Sequence, residues 1–352
     1  MDTLVRDALS YKVSESAEGM FETPRIVVVG AGGAGCNTVN RLARIGIRGA
    51  ELIAVNTDRK HLGIVSEAAK KLLIGPALTK GLGAGGYPGI AEKAAQASKG
   101  EIERMLEGTD LLFITAGMGG GTGTGASPVI AEVAKKMGAI VVAIVSYPFV
   151  LERNRMKTAE EGIEALRRTV DTVVVIDNNR LVALVPNLPI DQAFAVADEI
   201  TARAVRGITE TITTSSLINL DFADVRSIMQ GGGVAMIAVG EAHGTNRVRD
   251  VAKNTLNQRL LEVDYTGASG LLLHLTGGPD MTLGEANEIG ELISQNVGAN
   301  ANVIWGARMD PAFAGKIEAI AIFTGIKSPY IVGKTSFDEP KKKKQNWDLN
   351  EL

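Results

Sequence analysis

From Arg25 onward the chain alternates two patterns of apolar residues. Short, nearly continuous runs come first: Arg25–Val29, Glu51–Val55, Lys71–Ile74, Asp110–Thr115, Ala139–Ser146 and Thr172–Ile176. Apolar residues on both faces of a run predict strands buried on both sides, the habit of a parallel sheet. Between most of these runs the apolar positions recur at helical spacing, as in Ala126–Met137 and Arg155–Thr169. Strands alternating with helices predict a Rossmann-like α/β fold with helices on both faces of a mostly parallel sheet.

The rhythm then changes. Ile190, Phe194, Ala197, Ile200, Ala204, Ile208 and Ile212 place one apolar stripe on a helix over Ile190–Thr213, roughly 36 Å long at ~1.5 Å per residue. Such a rod is long enough to tie two units together. A loop over Ser215–Ala223 and the triplet Gly231–Gly233 follow. Val234–Gly240, Gly270–Leu275, Asn302–Arg308 and Lys316–Phe323 read as strands, and Asn246–Leu261 and Thr282–Asn296 as helices. The expected division is an arm over 1–23, a first α/β unit over 24–189, the central helix and following loop over 190–227, a smaller α+β unit over 228–327, and a tail over 328–352. No internal repeat is found.

The 352 residues suit two units with tails. Aromatic residues are only 4 %, so the core must be built from Ala, Val, Ile and Leu. A net charge of −3 lacks the basic surplus of a nucleic-acid-binding domain. The single cysteine, Cys36, permits no intrachain disulfide and is compatible with a reducing cytoplasm. The N-terminus has no basic segment followed by an apolar run, and no stretch approaches the roughly 20 apolar residues of a membrane span.

Two glycine clusters carry the candidate chemistry. Gly30-Ala31-Gly32-Gly33-Ala34-Gly35 lies between a strand and a helix. Small residues there let backbone N–H groups approach phosphate oxygens at a helix N-terminus. A dinucleotide enzyme would add an acidic residue at the end of the second strand, but that strand ends Ala54-Val55-Asn56-Thr57-Asp58, with Asn at the strand end and the acid late. The second cluster, Gly117-Met118-Gly119-Gly120-Gly121-Thr122-Gly123-Thr124-Gly125, also joins a strand to a helix. At about 0.5–1 kcal/mol per glycine relative to alanine, such a run implies a need for exposed backbone: a nest of N–H groups around a polyphosphate, with threonine hydroxyls beside it. No G-x-x-x-x-G-K-[ST] occurs, so this is not a P-loop.

GGGTGTG, together with Ala54–Asp58, Thr79–Gly85, Pro148–Phe149 and Asn219–Arg226 in the same order, closely resembles the FtsZ family of tubulin-like cell-division GTPases. The resemblance covers Arg25 to Thr324. It implies a GTP-binding domain joined by the central helix to the α+β domain, and GTP or GDP with Mg²⁺ held through the phosphates. It places Gly32, Gly33, Ala34, Gly35, Cys36 and Asn37 around the α- and β-phosphates, with Asn56 nearby. Gly120, Gly121, Thr122 and Gly123 would hold the β- and γ-phosphates, and Ala84 and Gly85 would line the γ-phosphate. Glu152 and Arg155 would reach the ribose and phosphates. The segment between these two is one residue shorter than in many relatives, so Arg153 stands as an alternative to Arg155. Asn178, Phe194 and Asp198 would hold guanine: the ring of Phe194 stacks, and the carboxylate accepts from N1–H and the exocyclic amine.

Asn219, Asp221 and Asp224 form the third motif. Asp221 and Asp224 alone fit helix-capping acids worth about 1 kcal/mol. The resemblance instead makes this segment a catalytic loop that enters the nucleotide pocket of the next subunit, polarising the attacking water. The implied partners are further copies of the chain in a head-to-tail filament, and the implied place is the mid-cell division ring in the cytoplasm. An NAD(P) oxidoreductase and a non-hydrolysing scaffold of the same fold are the alternatives. Loss of the loop acids would mark the scaffold, and both acids are present.

The tail holds Lys341–Lys344, then Trp347 and Leu349 among polar residues, too few to form a core. It is expected to reach a membrane-associated division adaptor, the lysines adding attraction to anionic lipid. Deleting 336–352 should leave assembly intact and abolish adaptor binding in a pull-down. A truncated chain that still captures every membrane-associated division protein tested would refute this.

Overall fold

The computed structural model describes residues 24–180, 187–213, 218, 221–257 and 265–326. Expectations for the arm, the tail and Asn219 lie outside the described residues.

Ten strands form one mixed sheet: β1 (Ile26–Ala31), β2 (Ala50–Asn56), β3 (Lys70–Leu73), β4 (Leu111–Gly117), β5 (Ile140–Tyr147), β6 (Thr172–Asp177), β7 (Gly233–His243), β8 (Gly270–Gly277), β9 (Asn302–Met309) and β10 (Lys316–Thr324), in the order β3-β2-β1-β4-β5-β6-β7-β10-β8-β9. The first six pair in parallel. Their order 3-2-1-4-5-6 reverses direction between β1 and β4, the switch point where doubly wound sheets bind ligands at their carboxyl edge. The second half is mainly antiparallel, with β10 between β7 and β8. The two halves join through a short parallel seam, Thr172↔Gly233 to Val174↔Ala235. Two units were expected from the sequence; the continuity of the sheet across them was not, because pairing between distant strands leaves no local pattern.

The longer helices are α1 (Gly32–Ile45), α2 (Pro88–Ala97), α3 (Lys99–Leu106), α4 (Thr122–Lys136), α5 (Arg153–Thr169), α6 (Ile190–Thr213), α7 (Phe222–Met229), α8 (Arg247–Asn257) and α9 (Leu283–Ser294). They cover both faces. Val27 and Val29 point into a core shared with α4, and on through Leu273 and Phe323 to α8 and α9. Ile26 and Val28 point into a second core shared with α1, α6 and α7. Alternate residues of one apolar strand thus serve different cores, which explains the unbroken runs in the sequence.

The central helix α6 occupies the predicted span, and it packs on α1, β7 and β8. Of its stripe, Ala204 and Ile208 are buried, whereas Phe194 is 41 % exposed. The segment read as a loop to Ala223 is already helical at Phe222, where α7 begins. Helices α2 and α3 do not stand out in the apolar pattern because each is short and buries mainly alanines or two apolar residues.

Helix packing uses glycine as contact surface. A Cβ on Gly125 would lie 2.1 Å from Pro88 O, and α2 could not sit on α4. Gly290, within α9, has ordinary space, its Cβ position lying 3.9 Å from Leu273 Cδ2. Gly125→Ala should therefore lower stability by about 1–3 kcal/mol through forced displacement, whereas Gly290→Ala should raise it by about 0.5–1 kcal/mol. Urea midpoints of the two variants should move in opposite directions; a Gly125→Ala chain as stable as its parent would contradict the packing.

Candidate functional site

A cleft of about 880 Å³ opens at the carboxyl edge of β1, β4 and β5, within the ~300–1,000 Å³ typical of small-molecule sites. Its floor is made by two turns. The first leads from β1 into α1 and the second from β4 into α4; neither helix start carries a side-chain cap. The leading N–H groups of both helices therefore remain available, at the positive ends of two helix dipoles.

The turns touch. Gly32 has φ 73°, and a Cβ there would lie 2.7 Å from Gly123 N. Gly35 sits against the sheet, its Cβ position 2.2 Å from Thr115 O. Gly33, Ala34 and Asn37 line the cleft, as do Gly120, Gly121, Thr122 and Gly123. Gly32, Gly35 and Cys36 are buried beneath them. Several glycines thus have a packing reason besides an exposed backbone. Thr57 and Thr122 share a hydroxyl–hydroxyl hydrogen bond of 2.7 Å, which ties the end of β2 to the second turn.

Cys36 is fully buried, 3.7 Å from Gly30 O and 3.8 Å from Val55 O. Burial pushes its thiol up to about 12, so it is no nucleophile. Asn56 lines the cleft and its side-chain amide points to the Cys36 sulfur at 3.9 Å. Ala84 is buried against the second turn, 2.9 Å from a Cβ built on Gly121, and Gly85 has φ 61° in the same loop; the neighbours Gly83 and Gly86 line the cleft. That loop is held by Gly83 N donating to Thr57 O (3.1 Å) and Arg59 N donating to Gly81 O (2.9 Å).

The far end of the cleft is built by β6 and α6. Asn178, one residue past β6, is buried and lines the cleft, and its Oδ1 has no hydrogen-bond partner among the described residues. A buried acceptor left unpaired costs about 1–3 kcal/mol, so it is a place for a donor on a ligand. Phe194 and Asp198 lie one helical turn apart on α6 and both line the cleft. The Phe194 ring meets Phe149 edge-on at 5.4 Å, leaving a face for stacking. Thr38 Oγ1 donates to Asp198 Oδ1 at 3.1 Å. Burial raises the Asp198 carboxyl to about 6 against the opposing effects of Thr38 and Arg41. A planar ring with two adjacent N–H donors suits this acceptor pair better than adenine, which lacks them.

Glu152 and Arg155 line the cleft mouth and pair with each other. Arg153 starts α5 and is not among the lining residues. Asp58 and His61 line the cleft as well; sequence reasoning assigned neither. Asp58 closes the Ala54–Asp58 motif, and its side chain's task is local: it accepts from Lys60 N (2.8 Å) and His61 N (3.2 Å).

Asp221 and Asp224 are not part of this cleft. They open α7 as a reciprocal capping box: Asp224 N donates to Asp221 Oδ1 (2.7 Å) and Asp221 N to Asp224 Oδ2 (3.3 Å). The other end of α7 is fastened to the start of β6, where Thr172 Oγ1 donates to Met229 O at 2.7 Å. Asn178 follows the end of the same strand, roughly 20 Å away at ~3.3 Å per residue. Among the described residues no group of three or more His, Cys, Asp or Glu side chains could hold a metal ion, and no helix is long and apolar enough to cross a membrane.

Comparison with known proteins agrees with this architecture. Residues 25–186 match the Tubulin/FtsZ family GTPase domain, and residues 233–327 match the FtsZ family C-terminal domain. The chain is 60 % identical to cell division protein FtsZ 2 of Methanocaldococcus jannaschii over 335 residues, 94 % of this chain and 88 % of that protein. It is 51 % identical to FtsZ 2 of Halobacterium salinarum over 96 % of this chain and 87 % of that one. The empty FtsZ dimer of M. jannaschii superposes with a TM-score of 0.82 at 43 % identity, covering 96 % of this chain and 98 % of that one. CetZ1 of Haloferax volcanii, at 21 % identity and a TM-score of 0.75 over 87 % of this chain and 96 % of that chain, shares the fold. With both domains matched in order across one continuous sheet, the chain belongs to the tubulin/FtsZ family.

Proposed function

We propose that this protein is a self-assembling GTPase of the cell-division ring, forming head-to-tail filaments and hydrolysing GTP where one subunit meets the next. The observation that carries the reading is the cleft itself. Two side-chain-poor turns with uncapped helix starts suit a polyphosphate at one end, and Asn178, Phe194 and Asp198 suit guanine at the other. Mg²⁺, held through the phosphates of a bound nucleotide, would offset part of their charge. The GTP-binding unit spans 24–189, the central helix and catalytic loop 190–227, and the C-terminal unit 228–327.

Hydrolysis needs a group that positions water at the γ-phosphate. Asp221 and Asp224 supply carboxylates, but they lie outside their own subunit's cleft. A head-to-tail contact brings them to the neighbour's cleft, so that each complete site has two chains. GTP then favours assembly and its hydrolysis loosens the contact. A heterologous contact of this kind propagates when its rotation does not close. The filament would lie in the cytoplasm at mid-cell, linked to the membrane by an adaptor that grips the tail around Trp347 and Leu349.

Two measurements test this reading. The Asp198 carboxylate accepts from guanine only when ionised, and burial sets its titration near 6. GTP affinity should therefore fall as the pH drops through about 6. Asp198→Asn should bind more weakly at neutral pH with a flatter profile, and ATP should not replace GTP in light-scattering assays. Equal assembly with ATP would overturn the base-site assignment.

Asp224→Ala should leave GTP binding by the dilute monomer nearly intact and lower hydrolysis at least tenfold, about 1.4 kcal/mol of transition-state stabilisation. Mixed with Asp198→Ala, which keeps a good loop beside a poor pocket, it should regain activity wherever a sound pocket meets a sound loop. Loss of GTP affinity in the dilute Asp224→Ala monomer would place the acids in their own subunit's pocket and remove the shared site.

A further inference from the structure

The chain has three histidines, and the structure gives each a different setting. His243 is exposed at the end of β7. His274 is buried in β8, its Nε2 3.0 Å from Thr276 Oγ1. His61 lies at the phosphate end of the cleft. Its Nδ1 is buried with no hydrogen-bond partner among the described residues. Its Nε2 faces the first glycine turn, 3.8 Å from where a Cβ on Gly33 would stand. Both ring nitrogens are hydrogen-bonding groups, and in either tautomer one of them is a donor.

The imidazole is held there by its own backbone. His61 N donates to Asp58 Oδ1 (3.2 Å), Leu62 is buried in the core below, and Leu62 N donates to Asp58 O (3.2 Å). The segment before it is pinned to the second turn through Thr57 and Thr122. The ring thus lies against the first glycine turn, with Nε2 toward Gly33 and with a buried Nδ1 that has no partner among the described residues. Cationic help is scarce nearby: among the described lining residues, Arg155 is the only Lys or Arg, and it pairs with Glu152.

We propose that His61 is a phosphate-binding residue of this cleft, its imidazole donating an N–H to a non-bridging oxygen of the nucleotide's polyphosphate across from Gly33. The proposal rests on the reading of the cleft as a guanine-nucleotide site. It adds a side-chain donor to a floor otherwise made of backbone N–H groups and threonine hydroxyls. The contact is to the phosphate chain, so it serves GTP and GDP and is indifferent to the base.

Competition binding to the full-length chain, dilute enough to stay monomeric, tests it. His61→Ala should weaken GTP and GDP about tenfold and leave guanosine, which has no phosphate, unchanged. His61→Asn, which keeps an amide donor, should recover part of the loss. His61→Phe, which fills the same space without a donor, should resemble His61→Ala. A purely structural role would instead weaken guanosine in parallel, or be rescued by Phe as well as by Asn, and either result overturns the proposal, as does His61→Ala with parental GTP affinity. If the parent chain binds no guanine nucleotide, the cleft reading fails; if it binds and the variants match it, only the role of His61 fails.

Discussion

The cleft depends on one close approach, the seating of α1 on the sheet. A Cβ on Gly30 would lie 2.2 Å from Gly35 O, and one on Gly35 would lie 2.2 Å from Thr115 O. Only bare backbone lets the start of α1 lie between β1 and β4 at the point where strand order reverses. That seating brings Gly32 against Gly123 and fixes the spacing of the two helix starts. The cleft floor is therefore a packing solution before it is a ligand site, and its N–H groups are positioned before any ligand arrives, which spares reorganisation on binding.

The central helix carries this order into the second half of the molecule. Near its start it presents Phe194 and Asp198 to the cleft. Further along, Arg203 reaches Glu318 (3.2 Å) and Glu241 (3.3 Å), while the buried Glu210 pairs with Arg206 (2.9 Å) and Arg308 (2.7 Å). Burial raises the Glu318 carboxyl, and burial with the nearby Arg308 charge lowers His274 to about 3. The Glu210–Arg308 pair is enclosed, and such a pair adds little net stability although losing one partner is costly; the half-exposed Arg203–Glu241 pair is screened by solvent and counts for less. They act chiefly to fix where the helix lies on the antiparallel half of the sheet.

Much of this was legible in the sequence, for identifiable reasons. Doubly buried strands write continuous apolar runs, and the span of α6 follows from its stripe. The two glycine clusters announce backbone contact because no side-chain function explains them. Other features leave no local trace. Nothing near Cys36 tells that its thiol turns into the core while Asn37 faces the cleft. The seam between β6 and β7 joins segments far apart in the chain. His61 carries no signature in the sequence: its place on the cleft and its Nδ1 without a partner among the described residues are visible only when its neighbours are placed. Asn178, by contrast, was expected at the base through family resemblance alone; what only the structure shows is that its buried Oδ1 has no partner among the described residues.

The capping box at Asp221 and Asp224 bears on how descent should be read in this family. The opening of α7 by itself favours Asp, Asn, Ser or Thr at position 221, whatever happens to hydrolysis. A paralogue that had abandoned turnover would still be under selection to keep a short polar side chain there, because the helix start needs one. Retention at 221 is thus weak testimony of an active enzyme. Position 224 shares the burden, since its carboxylate closes the box on the Asp221 N–H. Drift at these two sites is constrained twice over, and the loss of catalysis can be silent in the sequence.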